Sequence, residues 1–183
     1  MIDFAGKSHL NKNDLDGYKL IGDGKDGEIY QIAEDKCVKY FFKEETQQKE
    51  LEALKVGQSS PVFPGLYEYG DNYIVMQYVE GVSLARHLKK EKQISKALTA
   101  KVIALLQELQ RVGFTRWDTE IRHILIAQDH QLKVIDHKRA FSTKTHIPTK
   151  LFKGLKKYDV LDEFLEYVKE LHPSSYQDWM NKK

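Results

Sequence analysis

Cysteine is nearly absent: Cys37 is the single one among 183 residues. A disulfide framework within the chain is excluded, and a reducing compartment is expected. Proline is scarce too, at four residues, and no Pro- or Ser-rich linker, internal repeat or low-complexity segment interrupts the chain. Long apolar runs are missing, since none approaches the roughly 20 residues that span a bilayer. The opening MIDFAGKSHLNKNDL holds no apolar secretory segment, so a cytoplasmic location with no membrane span is expected. Excess charge is small as well, +2 at pH 7. What remains is a chain 41% hydrophobic and 31% charged, too apolar to be disordered. It is long enough for one domain, or two small lobes, with a sizeable core.

The small net charge hides an asymmetry. Residues 137–158 carry seven Lys or Arg (138, 139, 144, 150, 153, 156 and 157) and no Asp or Glu, while the rest holds 22 basic against 27 acidic residues. A basic segment on an acidic body suits an anionic ligand or partner, or simply a solvated face. It lacks the interleaved aromatics of a stacking platform, so nucleic acid is not the expected partner.

The first 80 residues read mostly as strands. GYKLIGDG leads into GEIYQIAEDKCVKYFF, with Glu34-Asp35 at a turn between runs rich in β-branched and aromatic residues. KEETQQKELEALKVG reads as a helix with Gly57 as its C′ residue. LYEYGDNYIVMQYVEG is another hairpin, turning at Gly70-Asp71-Asn72. After about Gly81 the pattern changes. Leu98, Val102, Leu105, Leu106 and Leu109 form the stripe of an amphipathic helix, capped by Ser95 and closed by Gly113. HILIA and LKVID, separated by QDHQ, predict a small hairpin. A last stripe at Leu161, Phe164, Leu165, Val168 and Leu171 predicts a helix started by Asp159. Strands and helices are segregated, which implies an α+β architecture.

Three features suggest chemistry. Gly22, Gly24 and Gly27 have G-x-G-x-x-G spacing, but EIYQIAED follows them as a strand rather than as a helix. The glycines therefore suit a hairpin tip whose backbone N–H groups face phosphates, or an ordinary turn. Lys39 lies amid apolar neighbours on a strand, costly unless its ammonium reaches an anion. Glu50 and Glu52 on the following helix are candidates; Glu50, with Leu54 four residues on, is preferred. Finally, RWDTEIRHILI places Asp118 in a polar loop ahead of a short strand. Asp118 is there either as a structural cap or as a general base.

In this order the motifs resemble the protein-kinase-like superfamily over roughly residues 18–136. Gly22, Gly24, Gly27 and Ile29 are similar to its Gly-rich loop, and Cys37-Val38-Lys39 to its A-x-K strand motif. The resemblance implies a bilobal α+β fold in a single domain. Its N-lobe, about 1–79, would be an antiparallel sheet with one helix, and its C-lobe, about 80–183, a reduced helical one. It implies ATP with Mg2+ or Mn2+ as cofactors, with Lys39 on the α- and β-phosphates and Glu50 holding Lys39. Met76 would be the gatekeeper, the backbones of Gln77 and Val79 would bind adenine, and Cys37 and Leu125 would close the adenine pocket. RWDTEIRHIL looks like the catalytic loop H-R-D-x-x-x-x-N, with Asp118 at the aspartate and His123 at the asparagine. VIDHK resembles the D-F-G segment, making Asp136 and His123 the implied metal ligands.

The chain also departs from that pattern. The histidine before R-D is missing, Glu120 replaces a lysine, and His137-Lys138 replace Phe-Gly. Imidazole at position 123 suits Mn2+ or Zn2+ better than Mg2+, or it makes only a structural hydrogen bond. The short stretch after Asp136 resembles minimal kinases, the RIO kinases and the small bacterial lipopolysaccharide kinases. The implied function is phosphoryl transfer to a Ser/Thr hydroxyl, or to a hydroxyl of a small anionic acceptor. A pseudokinase, binding nucleotide without turnover, is the alternative.

Overall fold

The structure, a computed structural model, describes residue 4 and residues 6–181. The chain is α+β and forms two compact units, Met1–Val79 with Asp136–Arg139, and Glu80–Ile135 with Ala140–Lys183.

In the first unit β1 (Lys19–Gly24), β2 (Gly27–Gln31), β3 (Lys36–Phe41), β4 (Leu66–Tyr69) and β5 (Tyr73–Gln77) form one sheet in the order β1-β2-β3-β5-β4. Every neighbouring pair is antiparallel. The turns fall where anticipated, with β1 and β2 joined at a tip bounded by Gly24 and Gly27, β2 and β3 at a turn that includes Glu34-Asp35, and β4 and β5 at Gly70-Asp71-Asn72. Strand alternation sorts side chains into two faces. Tyr30, Val38 and Val75 are Cα partners in adjacent strands and belong to a buried cluster with Phe4, Leu10, Leu15 and Tyr73. The N-terminal segment, with its 3-10 turn Lys12–Leu15, thus covers one face of the sheet. It is fastened by Asn72, whose side chain accepts from Leu10 N at 2.9 Å and donates to Leu10 O at 2.8 Å. Each large apolar side chain buried here contributes roughly 1.5–3 kcal/mol.

Helix α1 (Glu44–Gly57) presents Gln47, Glu50, Ala53 and Leu54 inward. Gln47 donates to Gly70 O at 2.6 Å, tying the helix to the β4–β5 turn. Gly57 departs from the expectation: it is the last residue of the helix, and the cap, Gln58, has ordinary right-handed backbone angles. Its lack of a side chain answers a packing need instead. A Cβ there would stand 2.5 Å from the Phe63 ring.

The second unit contains β6 (Gly81–Ser83), α2 (Leu84–Glu91), α3 (Lys96–Arg111), β7 (Ile124–Ala127), β8 (Leu132–Val134), α4 (Thr149–Lys157), α5 (Leu161–Leu171) and α6 (Pro173–Asn181). β6, β7 and β8 form an antiparallel sheet. Ser95 caps α3 by accepting from Leu98 N at 3.1 Å. Gly113, at φ +94°, closes it, with Gly113 N donating to Gln110 O and Phe114 N to Leu109 O, each at 3.0 Å. That pair of bonds is a Schellman motif. Asp159 differs from its expected role. At φ +58° it ends α4, donating to Lys156 O while Val160 N donates to Leu155 O, and α5 begins only at Leu161. α2 and β6 have no counterpart in the sequence reading.

Candidate active site

Register decides what the first unit presents. Gly22 pairs with Ile29, Ile29 with Lys39, Cys37 with Met76 and Gly24 with Gly27. Directly opposed residues share a face, so Gly22, Gly24, Gly27, Ile29, Cys37, Lys39 and Met76 line the side of the sheet away from the N-terminal cluster. The three glycines differ in reason. A Cβ on Gly27 would fall 2.0 Å from Tyr40 O, so the approach of β3 requires glycine there. Gly24 has nothing nearer than 3.9 Å, and Gly22 meets the Ile29 side chain, its Cδ1 at 3.3 Å and its Cβ at an ordinary 3.5 Å. Neither is demanded by the protein's own packing, and both leave bare backbone on this face.

Lys39 sits on that face, 9% exposed, and Glu50 reaches it from α1, 4% exposed. The ammonium donates to both carboxylate oxygens, at 2.7 and 2.6 Å, and lies 4.9 Å from the Phe41 ring centroid. Burial pushes the Glu50 carboxyl upward, and the Lys39 ammonium opposes it. Glu52 points to solvent. A buried pair of this kind adds little net stability, because desolvating two ions offsets their attraction. Burial also drives the Cys37 thiol up to about 12, so it is an inert wall residue. Gln77 N donates to Gly65 O at 2.8 Å, while its carbonyl faces the Cys37 sulfur at 3.8 Å. Val79 is half-buried at the end of this unit.

The segment Asp136–Arg139 belongs to the same unit. Asp136 has φ +62°, the left-handed region that non-glycine residues rarely occupy. Its charge acts on Glu50, raising that carboxyl, while Lys138 lowers it. His137 is buried, its ring 4.8 Å from Phe63. Phe63 is the ring that fills the space left by Gly57, so a stack of Gly57, Phe63 and His137 fixes the segment. Lys138 forms an ion pair with Asp26 at the β1–β2 turn, which holds the Asp26 carboxyl below the usual range.

Asp118, in the second unit, is 9% exposed and answers to the start of α4. Its Oδ2 accepts from Lys150 N at 2.8 Å and Thr149 Oγ1 at 3.2 Å, and its Oδ1 accepts from Leu151 N at 3.2 Å. Pro148, the residue preceding α4, provides no side-chain cap. Asp118 caps the helix from 31 residues upstream, satisfying N–H groups that would otherwise be orphaned. Burial raises the Asp118 carboxyl above its ordinary range, and the three donors pull it partly back. The neighbouring Glu120 meets Lys150 at 3.3 Å and Arg122 at 2.7 Å. Burial alone would raise Glu120, but these cations bring its carboxyl below the usual range. Gly154 lets α4 approach the same loop, since a Cβ would stand 2.7 Å from Ile121.

His123 is half-buried, and its backbone pins the β7–β8 hairpin: its N–H donates to Glu120 O at 2.8 Å, and its carbonyl accepts from Ile135 N at 2.9 Å. Leu125 lies in β7, opposite Ser83 and Lys133. Among the described residues no group of three His, Cys, Asp or Glu could by itself hold a metal ion. The donors fit a cation bound mainly through phosphate oxygens, for which one or two carboxylates suffice. Residues the sequence reading did not single out are Thr149 and Leu151, Phe63, and Asp26 with Lys138 as a pair. No spacing rule connects partners so far apart in the chain.

No protein-family model matches the chain. It is 30% identical over 131 residues to a Bacillus subtilis protein named "Putative serine/threonine-protein kinase YrzF", covering 69% of this chain and 61% of that one. It is 27% identical over 149 residues to mitogen-activated protein kinase kinase 2 of Arabidopsis thaliana, covering 69% of this chain and 40% of that one. The chain therefore spans about three fifths and two fifths of these relatives' lengths. The likeness supports a protein-kinase-like relationship. Among the described residues no helix is long and apolar enough to cross a membrane.

Proposed function

We propose that this chain is an ATP-dependent phosphotransferase of minimal protein-kinase type. The observation that carries it is the buried, bidentate Lys39–Glu50 pair, on the sheet face where Gly22 and Gly24 leave backbone uncovered. Because the pair contributes little to stability, a functional demand for an oriented ammonium explains it better. Lys39 binds the α- and β-phosphates and Glu50 orients it. Gly22, Gly24, Gly27 and Ile29 cover the phosphates, and Met76, the backbone of Gln77 and Val79, Cys37 and Leu125 receive adenine. Asp136 holds Mg2+ or Mn2+, which when bound neutralises phosphate charge. In the transfer the acceptor hydroxyl oxygen bonds to the γ-phosphorus and the bond to the β–γ bridging oxygen breaks. ADP leaves, and the hydroxyl proton passes to the Asp118 carboxylate. The acceptor is a Ser/Thr hydroxyl, as the first relative's name suggests, or a hydroxyl of a small anionic molecule.

A specific observation favours a second reading, a nucleotide-binding module without turnover. Three donors occupy Asp118, out of about four lone-pair sites on a carboxylate. Label transfer from γ-labelled ATP, with Mg2+ and with Mn2+, separates the two. Transfer to the protein or to added acceptors is expected in the wild type, and its loss in Lys39→Met and Asp118→Asn. Equal transfer in all three removes the catalytic assignment. Thermal stabilisation by ATP with no transfer selects the second reading.

A further inference from the structure

We propose, resting on the nucleotide-binding function above, that Lys138 is a phosphate-binding residue that exchanges Asp26 for the nucleotide's phosphates. Lys39 is already engaged by both Glu50 oxygens in a buried setting. Its charge is matched, and separating the pair would leave a buried carboxylate alone. Lys138 is held differently. Its partner Asp26 hangs from the two-residue turn between β1 and β2, and both side chains are about a quarter exposed. The Asp26 backbone is fixed independently, its carbonyl accepting from Phe42 N at 3.0 Å. Releasing Lys138 therefore needs only a side-chain rotation of Asp26, not movement of the hairpin.

The same groups sense one another. Lys138 pulls the Glu50 carboxyl down, after burial and Lys39, and Lys39 pulls the Asp26 carboxyl down, after the Lys138 bond and burial. Glu50, Asp26, Asp136, Lys39, Lys138 and Lys25, which also lowers the Asp26 carboxyl, are thus one charge cluster, three carboxylates against three ammonium groups. A triphosphate adds about four negative charges, more than a single divalent cation offsets. Asp26 then competes with the phosphates for Lys138, and the bare backbone at Gly24 lies on the β1 side of the same turn. Lys138 follows Asp136 by two residues on a segment held by the His137–Phe63 contact, so the ammonium and the carboxylate proposed for the cation are borne by one short anchored stretch.

The two members of the pair should act with opposite sign. Titration calorimetry of the full chain with ATP·Mg2+ and with adenosine compares wild type, Lys138→Gln, Asp26→Asn and the double variant. Loss of a charge-assisted bond predicts ATP binding about tenfold weaker or more in Lys138→Gln, with adenosine binding unchanged as the control for folding. Asp26→Asn is expected to bind ATP more tightly than wild type, and the double variant to match Lys138→Gln. If Asp26→Asn weakens ATP as Lys138→Gln does, the pair is a structural latch and the proposal falls. It falls too if Lys138→Gln leaves ATP affinity unchanged, although the nucleotide function then stands. A wild type that binds neither ligand removes the function and the proposal together.

Discussion

Gly57 tests how packing and propensity compete at one position. Alanine inside a helix is favoured over glycine by about 1 kcal/mol, so propensity predicts that Gly57→Ala stabilises. The Phe63 ring, 2.5 Å from the added methyl, predicts the reverse, since overpacking costs about 1–3 kcal/mol. Phe63 cannot retreat freely because it also supports His137. Denaturant unfolding should show Gly57→Ala less stable than wild type, and a gain would discount the stack. At Asp118 the sign of the pH effect is set by burial. A raised carboxyl must be ionised to accept a proton, so the acid limb of kcat/KM for transfer should lie above the ordinary carboxylate range. Thr149→Val removes one donor that lowers this carboxyl, so the limb should move further up. A limb that stays in place would detach Thr149 from the chemistry. Lys39 could be singled out from sequence because a cation among Val38, Tyr40 and Phe41 violates the pattern of its surroundings, and Glu50 because helical spacing sets it with Leu54. The donors on Asp118 could not, since Thr149, Lys150 and Leu151 lie 31 to 33 residues away.

Among elements, α4 depends on a cap that its own sequence lacks. Replacing a capping side chain with alanine costs about 0.5–2 kcal/mol, and the N–H groups of Lys150 and Leu151 would both lose their acceptor. Asp118→Ala should therefore raise amide exchange over residues 149–157 by more than over α3, whose own cap at Ser95 it leaves intact. If α4 is equally protected in Asp118→Ala, the carboxylate is not its cap. Loss of transfer in an Asp118 variant has accordingly two sources, a missing base and a loosened helix, and exchange separates them. Local chemistry explains which elements were legible. α3 carries its own start and stop in Ser95 and Gly113, and the hairpins carry polar turns between β-rich runs. α2 is short, with Leu84 and Leu88 as its buried residues, and β6 has three residues that make sense only against β7. Asp159 resembles a starting cap by residue type, but the left-handed turn that ends α4 claims it first.

For the molecule as a whole, the charged core of the first unit sets function against stability. The period-two pattern made the sheet readable, but not the return of Asp136–Arg139 to that unit, nor the covering of the other face by the N-terminal segment. Both rest on long-range burial, which leaves no local mark. Lys39→Met removes the ammonium and leaves Glu50 buried without its partner, a loss of about 3–5 kcal/mol for breaking such a pair. Part of that loss is escapable by protonation. Burial already raises the Glu50 carboxyl, and losing the opposing cation raises it further. A group with a raised folded-state pKa contributes stability below its unfolded value and loses it as pH rises through the folded one. The deficit of Lys39→Met relative to wild type should therefore be small near pH 4 and grow toward neutrality. Adding Glu50→Leu removes the stranded acid, so the double variant should regain most of the stability at pH 7. It should regain no phosphoryl transfer and no affinity for ATP, because neither residue is left to orient a phosphate. Unfolding curves at several pH values, beside transfer assays on the same preparations, decide the matter. Recovery of activity along with stability would mean that the pair serves the fold and not the nucleotide.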